Sequence, residues 1–343
     1  MRVLVTGATG LLGHQLIPAL LVRGDTVRAL VLPTEDTTWL EERAVAVYRG
    51  DVREDDTLRE PMRGVDTVFH LAGMMGVWRP IRDYRAVNVT GTEHVCRAAL
   101  AAGVRRLVHI SSWTVYGMGL GRPAHEGLPL TPFPEPYALT KVEGERVVQR
   151  FIASDHLPAT IIRPDTFFGP GDRLHFGRMA DRLRAGKAII VGSGRNFLPF
   201  FYVDDLVQGL LLAAEHERAV GQAYNIASDR PLTQEELWRA IAREIGARPP
   251  VVHVPYLVLY AVASVVERAA TLARSRRQPL ITRLGARLYG TDNRHAIDKA
   301  RDELGYVPRV DLREGVRRAA SWYREPRVAE AVGAPSIQRQ ESV

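Results

Sequence analysis

Tyr137 and Lys141 stand four residues apart in YALTK, a spacing that puts a phenol and an ammonium on one face of a helix. A free phenol titrates near 10, so accepting a proton near neutral pH requires a cation close by, and Lys141 is such a cation. Far upstream, TGATGLLG at 6–13 places Gly7, Gly10 and Gly13 three residues apart between an apolar run (Arg2 to Val5) and a helical pattern ending at Gly24. Strand, glycine turn and helix make a site for a pyrophosphate: absent side chains admit the backbone, and the helix start offers free N–H groups and a positive dipole. A proton acceptor and a dinucleotide site in one chain point to redox chemistry.

Other elements must bring these together. Apolar strands are expected at Ala44 to Tyr48, Thr67 to Leu71, Arg106 to Ile110 and Ala159 to Ile162, alternating with helical patterns. This βαβ rhythm predicts an α/β fold, a doubly wound parallel sheet with its ligand at the carboxyl ends of the strands. GDV at 50–52, HLAG at 70–73, SSWTVYG at 111–117 and RPDTFFGPGD at 163–172 all fall at those ends. The second strand, TVRALV at 26–31, runs into Leu32, where a dinucleotide's adenosine ribose would lie. Neither an acid for the NAD hydroxyl nor an arginine for the NADP phosphate stands there, and Arg28, Arg49 and Arg53 reach that point only if the fold carries them. The missing phosphate partner leans the choice between NAD and NADP toward NAD.

Composition narrows the classes. With 343 residues and 46% hydrophobic content, the chain holds an α/β core with room for a smaller lobe. The first strand begins at residue 2 and no apolar run reaches a membrane span, so a cytoplasmic protein without signal peptide is expected. A lone cysteine, Cys96, sits in a helical run as packed core; it allows no internal disulfide and no thiolate cluster, and no metal is assigned. The net charge of +7 invites a nucleic-acid partner, yet only three lysines occur and the densest basic stretch, Arg268 to Arg294 with its ARSRR, lacks an aromatic platform for bases. A solvated helical face accounts for it better, and no nucleic-acid partner is expected.

TGATGLLG, HLAG, NVTGT at 88–92, SSWTVYG, YALTK, RPDTFFGPG and FYVDDL at 201–206 together resemble the extended branch of the short-chain dehydrogenase/reductase superfamily over residues 1 to about 325. The resemblance implies a nicotinamide cofactor and a catalytic set of Ser112, Tyr137 and Lys141, with Lys141 also bonding the nicotinamide ribose. Ser112, ending VHISS, would hydrogen-bond the same oxygen as Tyr137. For the cofactor the resemblance implies Gly7, Thr9, Gly10, Leu11, Leu12 and Gly13 at the first turn, and Leu32, Asp51 and Val52 at the adenosine end. Leu71, Ala72, Gly73 and Ile110 would line the middle, with Pro164 and Thr166 beyond and Asn88 in a supporting role. It also implies a Rossmann domain over 1–170, with returns near 201–229 and 291–300, and a mostly helical substrate lobe from 171–200 and 230–325. Homodimerisation through Asn88 to Ala102 and Pro136 to Ala153 is expected, and residues 326–343 read as a disordered tail.

Departures from the branch bear on the substrate. Dehydratases of nucleotide sugars carry an acidic pair after the catalytic hydroxyl; here Trp113 and Thr114 stand there, which argues against dehydration. Nucleotide-sugar epimerases place an arginine just before the FxYVDD strand to hold the diphosphate; here Leu198 and Pro199 occupy that place, with Arg195 earlier. Met74, Trp78, Trp113, Phe167 and Phe197 are the expected substrate residues, with Met75, Val77 and Phe176 nearby, whereas Phe168 and Met179 read as lobe core. HLAGMMGVWRPIRDYRAVNVTGT is locally similar to 3β-hydroxysteroid dehydrogenase-like members and to β-keto acid reductases. Interconversion of a secondary alcohol and a ketone on an apolar substrate therefore leads, ahead of a nucleotide-sugar 4-epimerase and of a non-catalytic dinucleotide sensor. Finally, VPYLVLYAVASVVERAATLARSRR at 254–277 joins an apolar segment to a basic one; a helix packed within the lobe is the commoner meaning, peripheral contact with a membrane the other.

Overall fold

The computed structural model describes residues 1–76, 78–273, 275 and 278–325; Val77, three arginines of ARSRR (Arg274, Arg276, Arg277) and the proposed tail lie outside the described residues. The strands are β1 (Arg2–Thr6), β2 (Thr26–Val31), β3 (Ala46–Arg49), β4 (Thr67–His70), β5 (Arg106–Ile110), β6 (Ala159–Pro164), β7 (Thr166–Phe168), β8 (Ile190–Val191), β9 (Phe200–Tyr202), β10 (Ala223–Ile226) and β11 (His253–Val254). Seven form one parallel sheet in the order β10-β6-β5-β4-β1-β2-β3. Its third strand starts later than the sequence suggests, because Ala44 turns through a left-handed φ of 55° before extended backbone resumes.

The alternation of a strand explains the layers. Val3 and Val5 face one core with Leu16 and Leu20 of helix Leu11–Val22 and Leu206 and Leu210 of helix Val203–Glu215. Leu4 faces the opposite core, with Val95, Cys96 and Val148 from helices Thr92–Ala101 and Pro136–Asp155. Cys96 is fully buried, and burial pushes its thiol up to about 12. Two other parallel pairs, β7 with β9 and β8 with β11, carry the chain into a helical lobe. There helix Gln234–Ile245 starts with a capping box between Thr233 and Glu236 and packs on helix Leu312–Arg324. The main core is continuous from the sheet into the lobe through Phe168, Phe176 and Met179.

Sheet order reverses between β1 and β4, so their connections leave toward opposite edges and a crevice opens at their carboxyl ends. Gly7 follows β1 with φ +67°, and a Cβ on it would lie 2.8 Å from the Ala72 nitrogen, just past β4.

Candidate active site

The glycine turn divides its work. Gly13 has no room for a side chain, since its Cβ would lie 2.1 Å from the Ala8 carbonyl, so this residue lets the first helix seat against the turn. Gly10 is different: among the described residues, beyond its chain neighbours and its own helix, the atom nearest its Cβ position is the Gly7 carbonyl oxygen at 3.3 Å. No side chain caps helix Leu11–Val22 and no acid lies in its first turn. Thr9, Leu11 and Leu12 share this turn, whose surface thus fits a pyrophosphate: bare backbone, uncapped N–H groups and a positive helix end.

At the adenosine end the structure adds a residue that sequence reading missed. Leu32 donates its backbone N–H to the Glu35 carboxylate at 2.8 Å, so an acid does stand at the end of β2. The signal was displaced three residues past the strand, into a loop that folds back. None of the three arginines is free to serve there. Arg28 donates to the Pro61 and Arg63 carbonyls, Arg49 ties the loop through Pro33, Glu35 and Thr37, and Arg53 grips Asp51. Val52 packs in the core, where its Cγ2 would lie 2.7 Å from a Cβ on Gly91.

Beneath the crevice, Thr6 Oγ1 accepts the Ala72 N–H and bonds His70 Nδ1 at 2.8 Å, so Leu71, Ala72 and Gly73 leave β4 along a defined path. Burial and the Lys141 charge hold His70 down near about 3 and His109 well below 6.5, so neither imidazole adds a second cation. Asn88 lies in a π-type turn, Ala86–Gly91, that interrupts the helical run between Ile81 and Ala101. Its amide accepts the Met74 N–H at 2.7 Å and donates to the Met74 carbonyl and Thr140, which fixes the loop rather than leaving a group for a ligand.

Helix Pro136–Asp155 carries the proton chemistry. Pro136 opens it, Glu135 caps it by accepting the Ala138 N–H, and His156 closes it in a left-handed turn. Tyr137, Lys141 and Glu145 recur every four residues, while Gly144 lets the helix cross close to Asn88, whose carbonyl oxygen would lie 2.3 Å from a Cβ there. Lys141 Nζ donates to the Ile110 carbonyl at 2.5 Å, at the end of β5, and lies beside Gly73. Burial lowers its pKa to about 8, with the Glu145 carboxylate acting the other way. Tyr137 is raised to about 12 by burial, with the Ser112 side chain acting the other way. Ser112 Oγ accepts from both the Thr114 N–H and the Thr114 hydroxyl, which occupies its lone pairs. Its own proton is left to be donated elsewhere.

A buried network supports this set and was not read from the sequence. Glu145, fully buried, accepts from Ser111 at 2.8 Å and forms an ion pair with Arg163. Arg163 donates in turn to the Tyr116 hydroxyl, which donates to Asn225 on β10. The sheet's register makes the link, since Asn225 pairs with Arg163 across β10 and β6.

The expected substrate residues divide. Met74 and Trp78 occupy the loop above β4, where the Trp78 indole N–H donates to the Ser275 carbonyl across to the lobe. Trp113 is 4% exposed, and its indole N–H bonds Thr166 Oγ1 at 3.1 Å just past Pro164, so it is a wall held in place. Phe167 is half-buried beside it, and Phe197 lies under the Arg294 guanidinium. Phe176 is withdrawn from the opening: it stacks on Phe168 in the core, as Met179 also packs there.

The sequence profile described as "NAD dependent epimerase/dehydratase family" matches residues 3–227. The chain belongs to this family. A 2-alkyl-3-oxoalkanoate reductase of Stenotrophomonas maltophilia (strain K279a) is 33% identical over 93% of this chain and 98% of its own length. A 3beta-hydroxysteroid-dehydrogenase/decarboxylase of Arabidopsis thaliana is 32% identical over 92% and 77%. The structure of MoeE5 in complex with UDP-glucose and NAD superposes with a TM-score of 0.74 at 27% identity, covering 94% of this chain and 99% of that one. This family member is thus a NAD-dependent oxidoreductase of the epimerase/dehydratase type, with relatives that act as ketoreductases and hydroxysteroid dehydrogenases.

Proposed function

We propose that the chain interconverts a secondary alcohol and a ketone on a largely apolar substrate of the 3-oxo or 3-hydroxy acid or 3β-hydroxysteroid class. Tyr137 is the proton acceptor and donor, Ser112 orients the reacting oxygen and Lys141 stabilises the phenolate. A nicotinamide dinucleotide held on the Gly7, Gly10 and Gly13 turn supplies the hydride acceptor or donor. The observation that carries the reading is Lys141 Nζ at the Ile110 carbonyl, one helical turn past Tyr137 and at the carboxyl end of the strand that leads into Ser112. Tyr137, at about 12 as it stands, becomes a base near neutral pH only if positive charge is brought to its oxygen; Lys141 is the protein's share of that charge. Glu35 at the end of β2, with the nearby arginines already engaged, supports NAD over NADP.

The apolar substrate is supported by what surrounds the opening. Leu198 and Pro199 are buried at the place where the branch's epimerases carry a diphosphate-binding arginine. Arg294, beside Phe197, is already paired with Asp292 at 2.8 Å. UDP-glucose in the MoeE5 structure favours the second reading, a nucleotide-sugar 4-epimerase, by likeness of fold. The test is reduced-cofactor absorbance with NAD or NADP and, in parallel, 3-hydroxy acids bearing an alkyl branch, 3β-hydroxysteroids and UDP-sugars. Turnover of an acid or steroid that disappears in Tyr137→Phe is the expected result; epimerised sugar without net cofactor reduction would replace this reading by the second. A homodimer through the Asn88 and Pro136 helices is retained as part of the proposal, and a solution mass of one chain would remove it.

A further inference from the structure

Helix Tyr256–Leu272 packs one side, through Leu259 and Ala263, on Val191 and on Ala286 of helix Arg283–Gly290, as the sequence favours, and leaves its other side uncovered. Of its 17 residues only Leu259 and Ala263 are buried. Leu257 is 76% exposed, Val265 66% and Leu272 85%, with Val258, Val262 and Val266 also in solvent. Positions 258, 262, 265 and 272 recur at helical spacing, so these side chains form one aliphatic stripe along roughly 25 Å of helix. Val251 and Val252 before it and Leu280 and Ile281 after it are exposed as well. Scattered surface leucines need no account, but a continuous stripe does.

Charge selects what covers it. Residues 246–291 contain seven arginines and one acid, Glu267, in a chain whose whole surplus is +7. Glu267 is already held by Arg283. An aliphatic stripe in a segment whose sequence is this rich in arginine matches a helix lying in the surface of an anionic bilayer, whose headgroups neutralise what a second copy of the same segment would repel. The end of this helix is tied toward the loop that follows β4, because Ser275, three residues past the helix, accepts the Trp78 indole N–H.

We infer that helix Tyr256–Leu272 docks the protein on an anionic lipid surface, with the mouth of the substrate site beside it. That an apolar substrate then enters from the lipid rests on the function proposed above; the docking itself does not. The full chain is sedimented with vesicles of phosphatidylcholine containing phosphatidylglycerol, and with phosphatidylcholine alone. Expected is binding to the anionic vesicles that weakens about tenfold or more without phosphatidylglycerol or in high salt. The double variant Leu257→Glu/Val265→Glu loses that binding while its thermal midpoint and cofactor affinity stay as in the parent, which shows that it folds. Protein left in the supernatant with anionic vesicles, or equal binding by the double variant, overturns the inference. So does a parent dimer that the double variant converts to monomer, since the stripe would then cover a second copy. None of these arms needs a substrate, so their failure leaves the proposed reaction standing, and an inactive but vesicle-bound protein would refute only the reaction.

Discussion

The crevice above β1, β4 and β5 and the helix Tyr256–Leu272 treat the same kinds of side chain in opposite ways. At the crevice, ionisable groups are buried and joined: Lys141 to the Ile110 carbonyl, Glu145 to Ser111 and Arg163, Arg163 to Tyr116. On the lobe helix, aliphatic side chains stand in water. Burying charge is costly and is tolerated where each group has a partner and a task; exposing a stripe of valine and leucine is costly and implies a covering phase. The difference teaches that the crevice is complete within the chain, while the lobe surface is shaped for something outside it.

Experiments that break this contrast begin at the crevice. Tyr137→Phe removes the proton-transfer group and is expected to cost about 10²–10⁴ in kcat, with cofactor affinity, followed by fluorescence titration, changed only a few-fold; an active variant would make the crevice a binding site. Glu145→Gln leaves Arg163 buried without its anion and is expected to lower stability by about 3–5 kcal/mol in chemical denaturation. A loss under about 1 kcal/mol would mean that the network is not closed as described.

Lys141 gives a third check with a definite sign. An unfolded lysine keeps its proton to 10.5, whereas the folded one loses it near 8, so between these values the unfolded state binds more protons and stability rises with pH. Thermal midpoints should climb from pH 8 toward the point where tyrosines ionise, near about 10 in the unfolded chain. Lys141→Met should flatten that climb, and a parent profile already flat would place the ammonium in contact with solvent. Replacing Glu35 by serine sharpens the adenosine end: the preference for NAD over NADP should narrow by about tenfold, the worth of one polar contact. The smallest effect belongs to the lobe, where Leu257→Ser should move stability by less than about 0.5 kcal/mol; a larger loss would show that the stripe packs within the chain.

Much of the crevice was legible because its signals are local. A strand of β-branched residues, glycines at fixed spacing and a tyrosine and lysine on adjacent helical turns state their geometry within a dozen residues of sequence. Leu32 shows the limit, since its acid partner Glu35 lies in a loop whose path no periodicity reports. Glu145 shows it more clearly: in sequence it is one more charge on an amphipathic helix, and only the packing of that helix against β6, with Arg163 and Ser111 brought to it, makes it a buried anion one turn past Lys141.

The amino-acid sequence by itself determined the parallel α/β architecture, the glycine turn after the first strand and the placement of Tyr137 and Lys141 on successive turns of one helix, because strand alternation, helical spacing and glycine's missing Cβ act between near neighbours. Tertiary structure alone decided that Ser112 accepts twice from Thr114, that Glu145 meets Arg163, and that the aliphatic face of helix Tyr256–Leu272 looks outward. Those outcomes depend on which distant segments come to share a boundary, and whether a side chain ends in a core, a crevice or water is a property of that boundary rather than of the residue.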